Sequence, residues 1–173
     1  MGMLHIYCGD GKGKTTAALG LALRAAGSGM KVHIVQLMKG RFTSELNVIS
    51  LIDNITIERC DKDYGFVRNM TKEEKRSIRE CHNKMLANAF QMVKNSSIDM
   101  LILDEFNSAY EHELLDIEYA DEFILTKDLS IELILTGRNP NKKFIYRADY
   151  VSEIRAIKHP YRKGVIARLG IEY

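Results

Sequence analysis

The sequence predicts an α/β fold, a mostly parallel sheet with helices on both faces. Two observations predict it. Short apolar runs alternate along the chain with segments of helical period, which is how βαβ units read. The runs are closed by glycines or acids, as strands buried between helical layers are. The chain has 173 residues, enough for one domain spanning 1–173 and a sizeable core.

The elements follow in order. MLHIYC (3–8) is a buried strand, and TTAALGLALRAAGSG (15–29) is an Ala/Leu-rich helix ending at Gly27 and Gly29. KVHIVQLM (31–38) and the alternating NITIERC (54–60) are the next strands. Residues 71–95 give the clearest helix. Thr71 and Glu74 make a capping box, and Ile78, Cys81, Met85, Ala89 and Met92 recur at helical spacing. SIDMLILDE (97–105) and LSIELILTG (129–137) are strands, and DYVSEIRAI (149–157) is the last one. The segment DKDYGFVRNM (61–70) has the length of a functional loop.

The composition excludes some classes. A hydrophobic fraction of 46% with 28% charged residues suits a soluble globular chain. A net charge of +2 neither demands nor excludes nucleic acid, and no patch of interleaved aromatic and basic residues argues for it. No apolar run reaches membrane-spanning length, and no signal-peptide layout precedes the first strand. The cysteines, Cys8, Cys60 and Cys81, are odd in number and include no CxxC. A disulfide framework and a structural zinc site are therefore not expected, and a reducing, cytoplasmic setting fits.

The chemistry concentrates at HIYCGDGKGKTT (5–16). A strand, a glycine-rich turn and a helix opening on Lys-Thr describe a phosphate cradle. Gly9, Asp10, Gly11, Lys12, Gly13, Lys14, Thr15 and Thr16 form it. The glycines let the backbone turn its N–H groups inward, and the helix adds the positive end of its dipole. Lys14 and Lys12 supply cations for the outer phosphates, and Thr15 a hydroxyl for Mg2+. Cys8 stands where the usual pattern has its first glycine. A dinucleotide fingerprint fails, because Lys14 sits at its third glycine and the second strand ends in Gln36-Leu37 instead of an acid. The fold class thus narrows to a P-loop NTPase-like domain.

Such a loop needs an acid at the end of a neighbouring strand. Asp104 and Glu105 end MLILDE, where a carboxylate can hold magnesium directly or through water. A plain helix cap by Asp104 is the competing role. Arg138, in TGRNP (136–140), closes another strand at its ligand-binding edge, and can meet phosphate or only solvent. His5 and His33 read as structural strand residues. His82 and His112 have no ligand partners in their neighbourhood of the sequence. The basic run RAIKHPYRKG (155–164) can touch phosphates or pack as a solvated tail. No Ser-His-Asp or Cys-His set is visible.

These segments together carry a resemblance. GDGKGKTTAALG (9–20), VQLMKG (35–40), LDE (103–105), LTGRNP (135–140), ADYVSEI (148–154) and KHPYRKGVIARLGIEY (158–173) are similar, in order, to the P-loop ATP:corrinoid adenosyltransferases of the cobalamin pathway. The resemblance runs from residue 4 to the end, and includes the missing first glycine. It implies a reaction in which Co(I) of a reduced corrinoid attacks the 5′ carbon of ATP and tripolyphosphate leaves. Such an attack needs no general base, and none is visible.

The resemblance also implies roles. Gly9 to Thr16 match the triphosphate cradle, Thr15 and Glu105 the magnesium ligands, with Asp104 beside them, and Arg24 a position near the nucleotide. In YGFVRN (64–69), Phe66 matches an aromatic that faces the corrin, and Arg68 stands near a second one. The implied partners are ATP, cob(I)alamin or a cobinamide-type corrinoid, a flavoprotein as candidate reductant, and a second copy of the chain in a homodimer. Nucleic acid and membrane are not expected. Relatives carry an extension that helps to cover the site, whereas only Met1–Met3 precede the first strand here. A small P-loop kinase or ATPase acting on the terminal phosphoryl group is the alternative.

Overall fold

Every apolar run read as a strand joins one sheet in the computed structural model, which describes residues 2–65, 67–126 and 129–172, the Arg162 side chain apart. β1 (Leu4–Cys8) turns into α1 (Lys14–Gly27), and β2 (Val32–Gln36), α2 (Glu45–Ile49) and β3 (Ile55–Arg59) follow. A 3-10 turn at Val67–Asn69 leads to α3 (Lys72–Lys94) and β4 (Met100–Asp104). Then come α4 (Phe106–Glu111), α5 (Ile117–Ile124), β5 (Glu132–Thr136), α6 (Lys142–Arg147) and β6 (Tyr150–Glu153). No described helix is long and apolar enough to cross a membrane.

The sheet has six strands in the order β3-β2-β4-β5-β1-β6, and every pairing is parallel. All strands therefore present their carboxyl ends at one edge, where open α/β sheets bind ligands. β1 ends there in the glycine-rich loop and β4 in Asp104, with only β5 between them.

Side-chain alternation splits the core into two layers. Ile34, Ile102 and Ile134 face the alanines of α1: Ala18, Ala22, Ala25 and Ala26. Small side chains let that helix lie close on the sheet, at the density interiors require. Leu4, Ile6, Val35, Leu101, Leu103, Leu133 and Leu135 face the other way, onto Leu86 and Phe90 of α3, Phe106 of α4 and Phe144 of α6. Helices thus cover both faces, as the sequence predicts. Each such buried aliphatic contributes about 1.5–3 kcal/mol relative to an exposed one.

The capping box of α3 is present: Glu74 N–H donates to Thr71 Oγ1 at 3.2 Å, and Thr71 N–H donates to Glu74 Oε2 at 2.8 Å. The buried stripe of this helix is wider than the periodicity suggested, adding His82, Leu86 and Phe90, while Cys81 and Met92 are only partly buried. β6 is shorter than the expected 149–157, because the chain beyond Glu153 leaves the ladder to meet the glycine-rich loop.

The cysteines correct the sequence reading. Cys60 and Cys81 form a disulfide, and only Cys8 is free. Their separation of 21 residues shows no motif, but the end of β3 and the inner side of α3 bring their Cα atoms within 6.2 Å. The bond closes a covalent loop over the segment 61–80.

His82 ties three segments together. It is fully buried, its Nε2 accepts Met38 N–H at 3.0 Å, and its Nδ1 donates to Leu114 O at 2.8 Å. One N–H and one lone pair are used, so the ring is neutral. Burial lowers its pKa from 6.5 to about 4, against the smaller opposing effect of the Leu114 carbonyl. The unfolded chain therefore takes up the proton first. The neutral ring's stabilisation is complete above about pH 6.5 and is lost as the pH falls toward about 4. The expected loss is about 3 kcal/mol. His82→Gln should remove that share of the pH dependence, as read from urea unfolding at neutral and acid pH. An unchanged slope in that variant would assign the acid sensitivity to other groups.

Candidate active site

The loop after β1 is held in shape by the far end of the chain. Ile154 N–H donates to Cys8 O at 2.8 Å, Gly11 N–H to Ile154 O at 2.8 Å, and Ala156 N–H to Asp10 Oδ1 at 3.0 Å. Gly9 N–H donates to Arg138 O at 3.2 Å. Gly9 has φ +102, and a Cβ there would run into the Ile154 carbonyl, so only glycine fits. Gly9 and Gly11 thus spend their N–H groups on the protein. The N–H groups of Gly13 to Thr16, at the start of α1, have no intrahelical carbonyl to meet and can bind an anion.

Lys14 Nζ donates to Gly11 O at 2.9 Å and arches over the loop. Burial lowers its pKa, helped by the Arg138 charge, while Glu105, Asp10 and Asp104 oppose the shift. Burial raises the Cys8 thiol pKa, with Glu153 adding to it, so this cysteine stays a neutral filler under the loop.

Asp104 is the buried centre of the site, with 1% of its surface exposed. Its Oδ1 accepts from Thr15 Oγ1 at 2.9 Å and from Thr136 Oγ1 at 2.6 Å. Its Oδ2 accepts from Lys39 Nζ at 2.6 Å and from Gln36 Nε2 at 3.4 Å. Glu105 stands at the N-terminal boundary of α4 with φ +59, its N–H donates to Thr136 Oγ1 at 2.9 Å, and its carboxylate accepts from Ser108 Oγ at 2.9 Å. The two acids thus have different partners: Asp104 holds Thr15, and Glu105 is held by Ser108.

A magnesium ion fits these residues. Thr15 Oγ1 and the two carboxylates are hard oxygen donors, and Gln36 Oε1 is buried beside Asp104 with no hydrogen-bond partner. Among the described residues no group of three or more His, Cys, Asp or Glu side chains could hold a metal alone.

Other predicted residues lie apart. Lys12 is exposed and lines a groove of about 220 Å³ with Arg155, Lys158, His159 and Arg168 of the basic tail. Arg24 sits in the last turn of α1, about 15 Å along the helix from Lys14. It is close enough to oppose the burial-driven rise of the Tyr7 pKa. Arg68 lies in the 3-10 turn before α3, and Phe66 falls outside the described residues. His5 meets Glu132 at 2.6 Å and His33 meets Thr56 at 2.8 Å, both structural.

Sequence reasoning assigned no role to Lys39 or Asn107. VQLMKG includes Lys39, but only the turn at Met38, with φ +59, aims it at Asp104. Asn107 is buried below Gly137 in the first turn of α4, with both side-chain polar atoms unpartnered. No spacing marks either.

With the site described, the chain can be compared with known proteins. A family model described as ATP:corrinoid adenosyltransferase BtuR/CobO/CobP matches residues 1–173. The chain belongs to that family. It is an enzyme of the ATP-dependent corrinoid-adenosylating type, which displaces the kinase alternative. The corrinoid adenosyltransferase of Escherichia coli K12 is 34% identical, over 99% of this chain and 86% of its own. Corrinoid adenosyltransferase CobA of Salmonella typhimurium is 32% identical over the same shares. The Pseudomonas aeruginosa corrinoid adenosyltransferase is 29% identical, over 99% of this chain and 84% of its own. Among solved structures, the cytoplasmic domain of EssC matches with TM-score 0.55 and 17% identity, over 96% of this chain and 34% of that one. That likeness concerns the fold alone.

The family's glycine-rich loop is here a non-local structure. Gly9→Ala should cost about 1–3 kcal/mol of stability through backbone strain and collision with Ile154. ATP affinity should fall with it. Thermal melts and ATP titration check both, and unchanged values would mean that the loop relaxes around the methyl group.

Proposed function

We propose that the enzyme binds the triphosphate of ATP on Gly13–Thr16 and Lys14, and expels it as tripolyphosphate when Co(I) of the corrinoid attacks the 5′ carbon. The single observation that carries this reading is the convergence of Lys14, Thr15, Asp104 and Glu105 at the carboxyl ends of β1 and β4. Co(I) is the nucleophile, so the protein needs no base. Its work is to position two substrates and to compensate charge on the leaving chain.

Each residue then has a task. The N–H groups of the first turn of α1 bind phosphate oxygens, and Lys14 neutralises the departing end. Lys12 and Arg138 add charge at the loop's exposed side. Thr15 and Glu105 hold magnesium, while Asp104 fixes the Thr15 hydroxyl. The ion supplies charge neutralisation to the phosphate chain when bound. Arg24 and the loop 64–69, with Phe66 and Arg68, are assigned to nucleoside and corrinoid through the family resemblance.

The setting is part of the proposal. ATP as substrate supports a cytoplasmic enzyme, and a flavoprotein is the proposed source of electrons for cobalt. A homodimer is proposed from the family resemblance. β6 at the sheet edge, with exposed Tyr146, Tyr150 and Val151 nearby, supports it as an apolar surface for a second copy.

The deciding experiment is incubation with ATP, magnesium and chemically reduced corrinoid, with optical detection of alkyl–cobalt formation and chromatography of the phosphate product. Tripolyphosphate is the expected product, and ADP would refute the reading. Lys14→Ala should lower kcat by about 10²–10³ in a folded protein. Near-normal kcat would remove the loop from the leaving-group site. Glu105→Gln should raise the magnesium requirement more than Asp104→Asn, and the reverse order in a metal titration would make Asp104 the ligand.

A further inference from the structure

Lys39 stands where two cations cannot both stand. Its Nζ lies 2.6 Å from Asp104 Oδ2 and 3.1 Å from Thr15 Oγ1. Thr15 Oγ1 already donates its proton to Asp104 Oδ1 at 2.9 Å. A hydroxyl with its hydrogen given to Asp104 has only lone pairs to offer a cation, and Lys39 takes one of them. A magnesium ion on the same oxygen would put a dication against an ammonium at contact distance in a largely buried site, where such repulsion is poorly screened.

We propose that Lys39 is a displaceable cation: it holds the Thr15–Asp104 pair until Mg–ATP arrives, then turns to the phosphate chain as the metal takes Thr15. The inference rests on the P-loop reading above and adds a further positive group to those already assigned to the site.

The geometry of the segment supports the exchange. Lys39 follows Met38, whose positive φ points the chain at Asp104 and whose N–H is pinned to His82. The main chain at Lys39 is fixed again by Arg59 Nε donating to its carbonyl at 3.3 Å. The side chain is 23% exposed, whereas Asp104 is 1% exposed. A fixed backbone carrying a long, partly exposed side chain lets the ammonium change partner without refolding its loop. Asp104 keeps Thr136, Thr15 and Gln36 as donors after Lys39 leaves, so the buried carboxylate is not orphaned. Gly40 comes next, packed so tightly on the Lys62–Asp63 backbone that a Cβ would collide with it. The Lys39 segment is thus the physical bridge from the metal side of the site to the loop 61–70.

Two binding assays without corrinoid test the exchange, so their outcome is separate from that of adenosyl transfer. The variant is Lys39→Met, with Lys39→Gln as a second neutral substitution and thermal melts to establish folding. Mn2+ titrated into nucleotide-free protein, followed by the EPR signal of free ion, should bind about tenfold tighter in the neutral variants, because the competing ammonium is gone. Magnesium tripolyphosphate, followed by calorimetry, should bind about tenfold weaker, because a charge-assisted contact to phosphate is lost. Lys39→Arg should keep tripolyphosphate affinity near that of the parent. Unchanged or weaker Mn2+ binding overturns the proposal, since Lys39 would then not compete for the metal position. Unchanged tripolyphosphate affinity also overturns it, since the ammonium would not reach the phosphates.

Discussion

The arrangement at the carboxyl edge of the sheet depends on one buried carboxylate. A carboxylate buried as deeply as Asp104 is costly unless it is hydrogen-bonded. Here the cost is met by donors from four places in the chain: Thr15 on α1, Gln36 at the end of β2, Lys39 beyond it, and Thr136 at the end of β5. Each donor reaches Asp104 only if its strand or helix is in register. The carboxylate therefore acts as a geometric lock for the edge as well as a source of charge. Removing it would leave a hydroxyl pair, an amide and an ammonium without their common acceptor.

Much of this was legible in the sequence, for identifiable reasons. Strands buried on both faces write themselves as apolar runs, and α3 announces its start through Thr71 and Glu74. The loop 9–16 is readable because its chemistry needs backbone freedom and cations at fixed spacing. What was not legible depends on contacts between distant segments. Lys39 is an ordinary lysine until a positive φ at Met38 aims it inward. His82 has no ligand partner in its neighbourhood of the sequence, and its tie to Met38 and Leu114 is seen only in the structure. The Asp104 and Glu105 pair was readable as a pair, and only the family resemblance divided its roles; that Thr15 meets Asp104 is seen in the structure alone.

The disulfide shows the same limit more sharply. Cysteine arithmetic treats an odd count without CxxC as unpaired thiols. Cys60 and Cys81 are paired by the crossing of β3's end and α3, which no spacing rule encodes. With Gly40 against Lys62 and Asp63 on one side and this bond on the other, the segment 61–80 is tied both covalently and by packing. That is a firmer footing than a long polar loop would suggest, and it lies directly after the strand that neighbours the Lys39 turn.

The seat of the glycine-rich loop has a consequence for the order in which the molecule is made. A ribosome delivers Cys8 to Thr16 well before Ile154 and Ala156, which hold Cys8, Asp10 and Gly11. The nascent chain therefore carries the motif long before it carries the cradle. The loop takes its held shape only once the residues after β6 have been made. Once acquired, it works in reverse: a ligand gripped by the loop favours the docked state of β6 and the residues after it, by mass action. Such a ligand would thus strengthen the join that hydrogen bonds already make between the loop after β1 and the residues after β6.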